Sequence, residues 1–137
     1  ELASLIAKKA VALNICLVEP EKIDEINILE ATKLCMKNAV EGLKIKPDFV
    51  ITDGNMKLDI DMEQASIVKG DALSYTIGSA SIVAKVYRDK LMDGYAEIYP
   101  QYGFEKHKGY GTSAHIDAIK TNGLCPVHRR SFTKKWQ

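Results

Sequence analysis

Two carboxylates and one aromatic, basic stretch are the parts of this sequence most able to do chemistry. Asp53 ends the apolar run Phe49-Val50-Ile51-Thr52 and is followed by Gly54. In open α/β sheets, ligands bind beyond the carboxyl ends of strands, where such a side chain points into a crevice. An Asp before Gly also closes a turn with no further purpose, so both readings stand. Asp89 lies in a helical pattern with Ile82 and Val86 behind it and Met92 ahead, beside an apolar stripe. A carboxylate there needs a cation or hydrogen-bond donors. Lys85, four residues earlier, can meet it as a plain surface pair, and Arg88 and Lys90 flank it. Together the two suggest a site for a hard cation such as Mg²⁺, which prefers oxygen ligands and keeps several waters. Asp59, Asp61 and Asp71 are further candidates. However, "LDID" alternates as an exposed strand would, and Asp71 follows Gly70 in a turn-like context, so these read as structural.

The stretch from Tyr99 to Phe132 is the most distinctive. "KHKGYGT" supplies Lys106, His107 and Lys108, then Tyr110 between Gly109 and Gly111. Lysines neutralise phosphates, and glycines let backbone N–H groups approach them. A tyrosine between glycines can stack on a base or sugar. "HRRSF" adds His128, Arg129 and Arg130, suited to bidentate phosphate contacts. The alternative is a solvated loop with a tyrosine packed beneath it. No P-loop, GxSxG, paired CxxC or HExxH occurs.

The charge distribution suggests a phosphate-facing end, with ordinary surface scatter as the alternative. Residues 1–84 carry 9 Lys+Arg against 13 Asp+Glu, whereas residues 85–137 carry 10 against 5 and all three histidines. Cys16, Cys35 and Cys125 are odd in number, far apart and set among apolar residues, a pattern of reduced structural thiols in a cytoplasmic protein. No apolar run approaches membrane-spanning length and no signal-peptide pattern occurs, so no membrane partner is expected.

These residues must be positioned by a small set of elements. The 137 residues, 46% hydrophobic and 27% charged, fit a single α/β domain over 1–137. Residues 10–18, "AVALNICLV", read as a strand closed by Glu19-Pro20. A helix follows from Asp24 to about Gly42, on the spacing of Ile26, Leu29, Met36, Val40 and Leu43. "DFVITD" (48–53) reads as a strand covered on both faces, "LDIDMEQ" as a turn or hairpin, and "ASIVKGDA" (65–72) as another strand. A long helix runs from Ser74 through "SYTIGSASIVAKVYRDKLMDGYAEIY". Gly78 near its start costs about 1 kcal/mol of helix propensity, so a packing reason is expected. "YPQYGFEKHKGYG" reads as a loop. Thr112 caps a helix over "SAHIDAIKTN" that Gly123 stops, and residues 124–137 form an irregular basic tail. The chain opens without Met on Leu2, Leu5 and Ile6, already the apolar face of a helix, so further residues are expected upstream.

"ITDGN", "VKGDALSYTIGSASIVAKVYRDKLM", "YPQYGFEKHKGYGTSAHIDAIKTNG" and "CPVHRRSF" resemble the body of a bacterial ribonuclease HII, and "INILEATKLCMKNAVEGL" resembles the helix before its Asp-bearing strand. The resemblance runs over essentially the whole chain, with the motifs in order. It implies a ribonuclease H-like mixed sheet flanked by helices. It also implies cleavage of the RNA strand of RNA–DNA hybrids, and cutting 5′ of single ribonucleotides in duplex DNA, by two-metal hydrolysis with Mg²⁺ or Mn²⁺. By that resemblance Asp53 and Asp89 match the third and fourth of four acidic positions, Tyr110 the tyrosine that stacks on the junction sugar, and Lys108, His128 and Arg129 phosphate-holding groups. The family's adjacent Asp-Glu pair, in an Asp-Glu-Ala-Gly-Arg-Gly segment on the first strand, has no counterpart in these residues. The chain is therefore expected to lack the first strands of the fold and to be catalytically incomplete alone. It is also expected to self-associate through the sheet left exposed. A non-catalytic nucleic-acid-binding fragment is the alternative.

Overall fold

The computed structural model describes residues 1–136. Three helices come first: α1 (Leu2–Lys9), α2 (Pro20–Ile26) and α3 (Ile28–Glu41). Pro20 occupies the first turn of α2, where its missing N–H costs nothing. The single helix expected from Asp24 onward is broken at Asn27. That residue takes φ +74 and caps α3 by accepting a hydrogen bond from the Glu30 amide at 3.0 Å.

Strand β1 (Phe49–Asp53) pairs in parallel with β2 (Glu63–Ile67), so that Phe49 faces Glu63 and Asp53 faces Ile67. This two-stranded sheet is the only one among the described residues. The parallel pairing replaces the hairpin read from "LDIDMEQ", and residues 54–62 are instead a crossover loop. Gln64 makes that loop possible. Its side chain accepts from the Leu58 amide at 2.8 Å and donates to the Leu58 carbonyl at 2.7 Å, standing in for a ladder while Leu58 is buried.

Residues 10–18 do not form the expected strand. The segment keeps a strand's two-residue alternation, but Val11, Leu13, Ile15 and Leu17 all face solvent. What holds it is a set of side-chain bonds to α3: Asn14 Nδ2 donates to the Ala39 carbonyl at 2.9 Å, and Cys35 Sγ donates to the Cys16 carbonyl at 3.1 Å. A strand pattern needs a neighbouring strand to become a ladder, and no described residue supplies one here. An open groove runs beside this segment, lined by Leu5, Leu13, Cys35, Met36 and Val83. All three cysteines are free thiols.

A short turn of helix, α4 (Gly70–Leu73), replaces the end of the strand expected over 65–72. Then α5 (Tyr75–Ile98), 24 residues long, forms the spine, capped where Ser74 Oγ accepts from the Ile77 amide. No described helix is long and apolar enough to cross a membrane. The stretch expected as a loop contains a helical turn, α6 (Phe104–His107). As the sequence implies, α7 (Ser113–Asn122) is capped by Thr112 and stopped by Gly123 at φ +76. The basic tail is not irregular: α8 (Arg130–Thr133) leads into a 3₁₀ turn over Lys134–Trp136, and Gln137 lies outside the described residues. The core sits in this C-terminal part, where Met92, Tyr102, Phe104, Ile119 and Cys125 pack together.

Candidate active site and nucleic-acid surface

Asp53 leaves the end of β1, and its Oδ1 accepts the Gly70 amide, the first of α4, at 2.9 Å. The corner is tight. A Cβ on Gly70 would stand 2.7 Å from Ile77 Cδ1 and 3.5 Å from the Asp53 α-carbon. Gly78 meets the same corner from α5, where a Cβ would come within 3.0 Å of the Asp71 carbonyl. That is the packing reason for a glycine in the first turn of a long helix. Asp71 is thus held one residue beyond the amide that binds Asp53, with an exposed side chain that takes part in no ion pair among the described residues.

Asp89 is placed differently from the sequence reading. It lies twelve residues beyond Ile77, the α5 residue that touches the Gly70 corner. At the rise of an α-helix that is roughly 18 Å along the axis. Its Oδ2 is met by Lys85 Nζ at 3.3 Å, the surface pair the spacing allows. The carboxylate next in the chain to the Gly70 amide that binds Asp53 is that of Asp71, a neighbourhood its turn-like Gly-Asp context does not reveal, because one-dimensional spacing cannot show that β1 and α4 meet at Gly70. No group of three or more metal-ligating side chains occurs among the described residues. Asp53 and Asp71 nevertheless suit a hard cation in kind, since both are carboxylates and, among the described residues, only one oxygen of Asp53 is engaged.

A separate basic and aromatic cluster lies farther along α5, around Arg88, eleven residues beyond Ile77. Arg88 Nη2 donates to the Lys108 carbonyl at 3.3 Å, and its guanidinium stands 6.0 Å from the Tyr110 ring centre. Tyr110 itself is 64% exposed, free to meet a ligand. Its flanking glycines serve packing rather than amide approach. Gly109 takes φ +90, and a Cβ there would sit 3.2 Å from Arg88 Nη2; one on Gly111 would stand 2.8 Å from the Trp136 ring. Lys108 is only partly available, because its Nζ pairs with Asp93 on α5. Arg129 stacks its guanidinium 4.1 Å from the Phe132 ring centre. Burial first, and the nearby Arg88 charge second, push its pKa down. Arg88, Tyr110, His115, His128 and Arg129 line one cavity of about 300 Å³.

His128 does not present itself to a phosphate. It is buried, and both ring nitrogens are used: Nδ1 accepts the Cys125 amide at 2.9 Å and Nε2 meets His115 Nε2 at 2.9 Å. Burial, reinforced by the His115 ring, lowers its pKa from 6.5 to about 4. His115 is also lowered by burial, and its Nδ1 contacts the Tyr110 carbonyl at 2.8 Å. His107 stacks on His115 with ring centres 4.0 Å apart. His107, His115 and His128 thus form one buried packing unit rather than a set of surface bases.

Asp24, which the sequence reading used only as a helix start, fixes this region from below. Its carboxylate accepts the Arg130 and Ser131 amides, both at 3.0 Å, together with the Ser131 hydroxyl. Those bonds, the Ser131 hydroxyl first, lower its pKa. They cap α8 and tie "HRRSF" to α2.

Comparison with known proteins assigns this arrangement. The profile of the family described as Ribonuclease HII matches residues 1–135. The ribonuclease HII of Acetivibrio thermocellus is 52% identical over 99% of this chain and 53% of its own length. That of Shewanella pealeana is 51% identical over 93% of this chain and 63% of its own length. The chain therefore spans about half to two thirds of the length of these curated relatives. The crystal structure of the ribonuclease H2 from Pyrococcus horikoshii OT3 superposes with a TM-score of 0.77 at 23% identity, covering 98% of this chain and 72% of that one. It supports the expected ribonuclease H-like α/β fold. With the Asp-bearing strand end, the "KHKGYGT" loop and the "HRRSF" helix in place, this chain belongs to the ribonuclease HII family.

Proposed function

We propose that this chain is part of a metal-dependent endoribonuclease that hydrolyses the RNA strand of RNA–DNA hybrids and cuts 5′ of ribonucleotides embedded in duplex DNA. Membership of the family supports the general activity, and the observation that carries the site is the Asp53–Gly70–Asp71 corner at the end of β1. Asp53 and Asp71 would hold the divalent ion, Mg²⁺ or Mn²⁺, with Asp89 left as the partner of Lys85. Bound there, such ions supply an activated water and charge stabilisation at the leaving oxygen. Gly70 donates its amide to Asp53 and so orients that carboxylate. Tyr110 presents an exposed ring for the ribose, whose 2′-hydroxyl distinguishes RNA from DNA. Arg129 and Arg88 supply guanidinium charge for backbone phosphates, and Lys108 assists where its pairing with Asp93 opens. His128 acts behind this surface rather than on it. A single domain in a reducing, cytoplasmic setting completes the proposal, supported by the three free thiols.

A binding-only reading is favoured by one observation, the lack of a third metal-ligating side chain among the described residues. Incubating the protein and its Asp53→Ala variant with a duplex carrying one ribonucleotide, in Mg²⁺ or Mn²⁺, separates the two. Cleavage 5′ of the ribonucleotide that the variant loses supports the nuclease. Salt-sensitive binding without cleavage supports the binding module. Self-association is part of the same proposal, because Val11, Leu13, Ile15 and Leu17 expose an unpaired apolar edge. Sedimentation should show a dimer forming at micromolar concentration, and a monomer throughout would remove this element.

A further inference from the structure

The three buried imidazoles are the largest group of titratable side chains that the proposed chemistry leaves unused, and their partners assign every proton. The Cys125 N–H donates to His128 Nδ1, so a neutral His128 carries its hydrogen on Nε2. That hydrogen points at His115 Nε2, which must accept it, leaving the His115 hydrogen on Nδ1 and aimed at the Tyr110 carbonyl. His107 accepts the Gly109 N–H at Nδ1 and donates from Nε2 to the Tyr102 carbonyl. The bonds therefore run one way, from the Cys125 amide through His128 and His115 to Tyr110. A second proton on His115 would set its Nε2–H against that of His128 across 2.9 Å, and one on His128 would set its Nδ1–H against the Cys125 N–H, also across 2.9 Å. We propose that His115 and His128 are positioning residues: their relay fixes the backbone of Tyr110, and with it the ring that meets the ribose, only while both imidazoles are neutral. Recognition of the ribonucleotide is then sensitive to acid.

The surroundings reinforce this. His115 and His128 meet Phe104 edge-on or tilted, and Tyr102 packs against His128. The charged and titratable groups that face the same cavity are Arg88 and Tyr95 from α5, Glu19 ahead of α2, and Arg129 ahead of α8. His107 and Cys125 complete the set. Burial first, and the neighbouring imidazoles second, disfavour positive charge on this pair. The remaining bonds on Tyr110, from its amide to the His107 carbonyl and from the Thr112 amide to its own carbonyl, keep the loop folded when the relay opens. The expected effect is therefore on ring placement and not on the fold.

The proposal rests on the reading of Tyr110 as a ribose-contacting residue, so its test has one arm that needs no substrate. In ¹⁵N-labelled protein at neutral pH, the imidazole spectra should show His115 with its hydrogen on Nδ1 and His128 with its hydrogen on Nε2. On acidification the Tyr110 signals should shift with the same midpoint as the two rings, below 6.5. The second arm compares binding to a duplex with one ribonucleotide and to the same duplex in all-DNA form. The ratio should fall about tenfold for His115→Phe, the loss of one buried hydrogen bond. It should fall similarly for the unmodified protein on acidification. His115→Asn, whose amide can donate to the Tyr110 carbonyl and does not titrate, should keep the ratio at both pH values. A doubly protonated ring at neutral pH, the opposite tautomer on His115, or Tyr110 signals that ignore the titration would overturn the proposal. So would His115→Asn behaving as His115→Phe does. If the unmodified protein shows no preference for the ribonucleotide while the spectra are as expected, the ribose-reading role of Tyr110 fails and the relay stands.

Discussion

Replacing Gly70 by alanine tests how closely β1, α4 and α5 are fitted around Asp53. The new Cβ would lie 2.7 Å from Ile77 Cδ1, against 3.4–4 Å for an ordinary contact, so one of the two must move by most of an ångström. Overpacking of this kind costs about 1–3 kcal/mol, offset by about 0.5 kcal/mol from the stiffer unfolded chain. Ile77 is buried, so Ile77→Val alone should cost about 1 kcal/mol for the lost methyl. Valine lacks the Cδ1 atom that makes the clash, and in the double variant the methyl added at position 70 occupies the space it leaves. The remaining close neighbour, Ile67 Cβ at 3.3 Å, asks for a shift of only a few tenths of an ångström. The double variant should therefore be no less stable than Gly70→Ala alone, a coupling of at least about 1 kcal/mol between residues in contact. Urea unfolding of the four proteins, with unchanged m values, measures it. Losses that add to within about 0.5 kcal/mol would refute the geometry of the corner.

Two further predictions concern the basic half. The His128 pKa of about 4 against 6.5 in the unfolded chain means that the native state holds the ring neutral while the unfolded state takes a proton first. Stability is fully present above pH 6.5 and falls progressively between 6.5 and 4, by at most roughly 3 kcal/mol. His115 shifts in the same direction, and denaturant titrations across that window should flatten in a His128→Phe variant. Asp24→Ala removes the acceptor for two α8 amides and the Ser131 hydroxyl. The variant should lose about 1–2 kcal/mol in a thermal or urea melt and increase hydrogen exchange at Arg130 and Ser131. An unchanged exchange rate there would count against the cap.

Local chemistry made much of the fold legible. The Thr112 and Gly123 boundaries of α7, the Asp53 end of β1 and the long α5 each follow from signals within a few residues. What the sequence could not convey depends on which distant segments meet. The alternating run over 10–18 has a strand's pattern without a strand's partner. The polar "LDIDMEQ" stretch resembles a hairpin, but Gln64 converts it into a crossover. The same limit governed the site. Asp89 looked functional because it borders an apolar stripe, and Lys85 accounts for it. Asp71 looked like a turn residue, and only the contact of Gly70 with Asp53 reveals its position. His128 and Lys108 carry the right chemistry for phosphate, but burial engages one and Asp93 the other.

The most direct test of the Asp53–Asp71 assignment is a Mn²⁺ titration followed by amide spectra, since it does not depend on turnover. The account predicts that signals of residues 52–54 and 70–72 broaden at the lowest Mn²⁺ concentrations and those of 87–91 last. Asp71→Asn should weaken the effect and Asp89→Asn leave it unchanged. Broadening that starts around Asp89, or that Asp89→Asn abolishes while Asp71→Asn does not, would contradict the assignment.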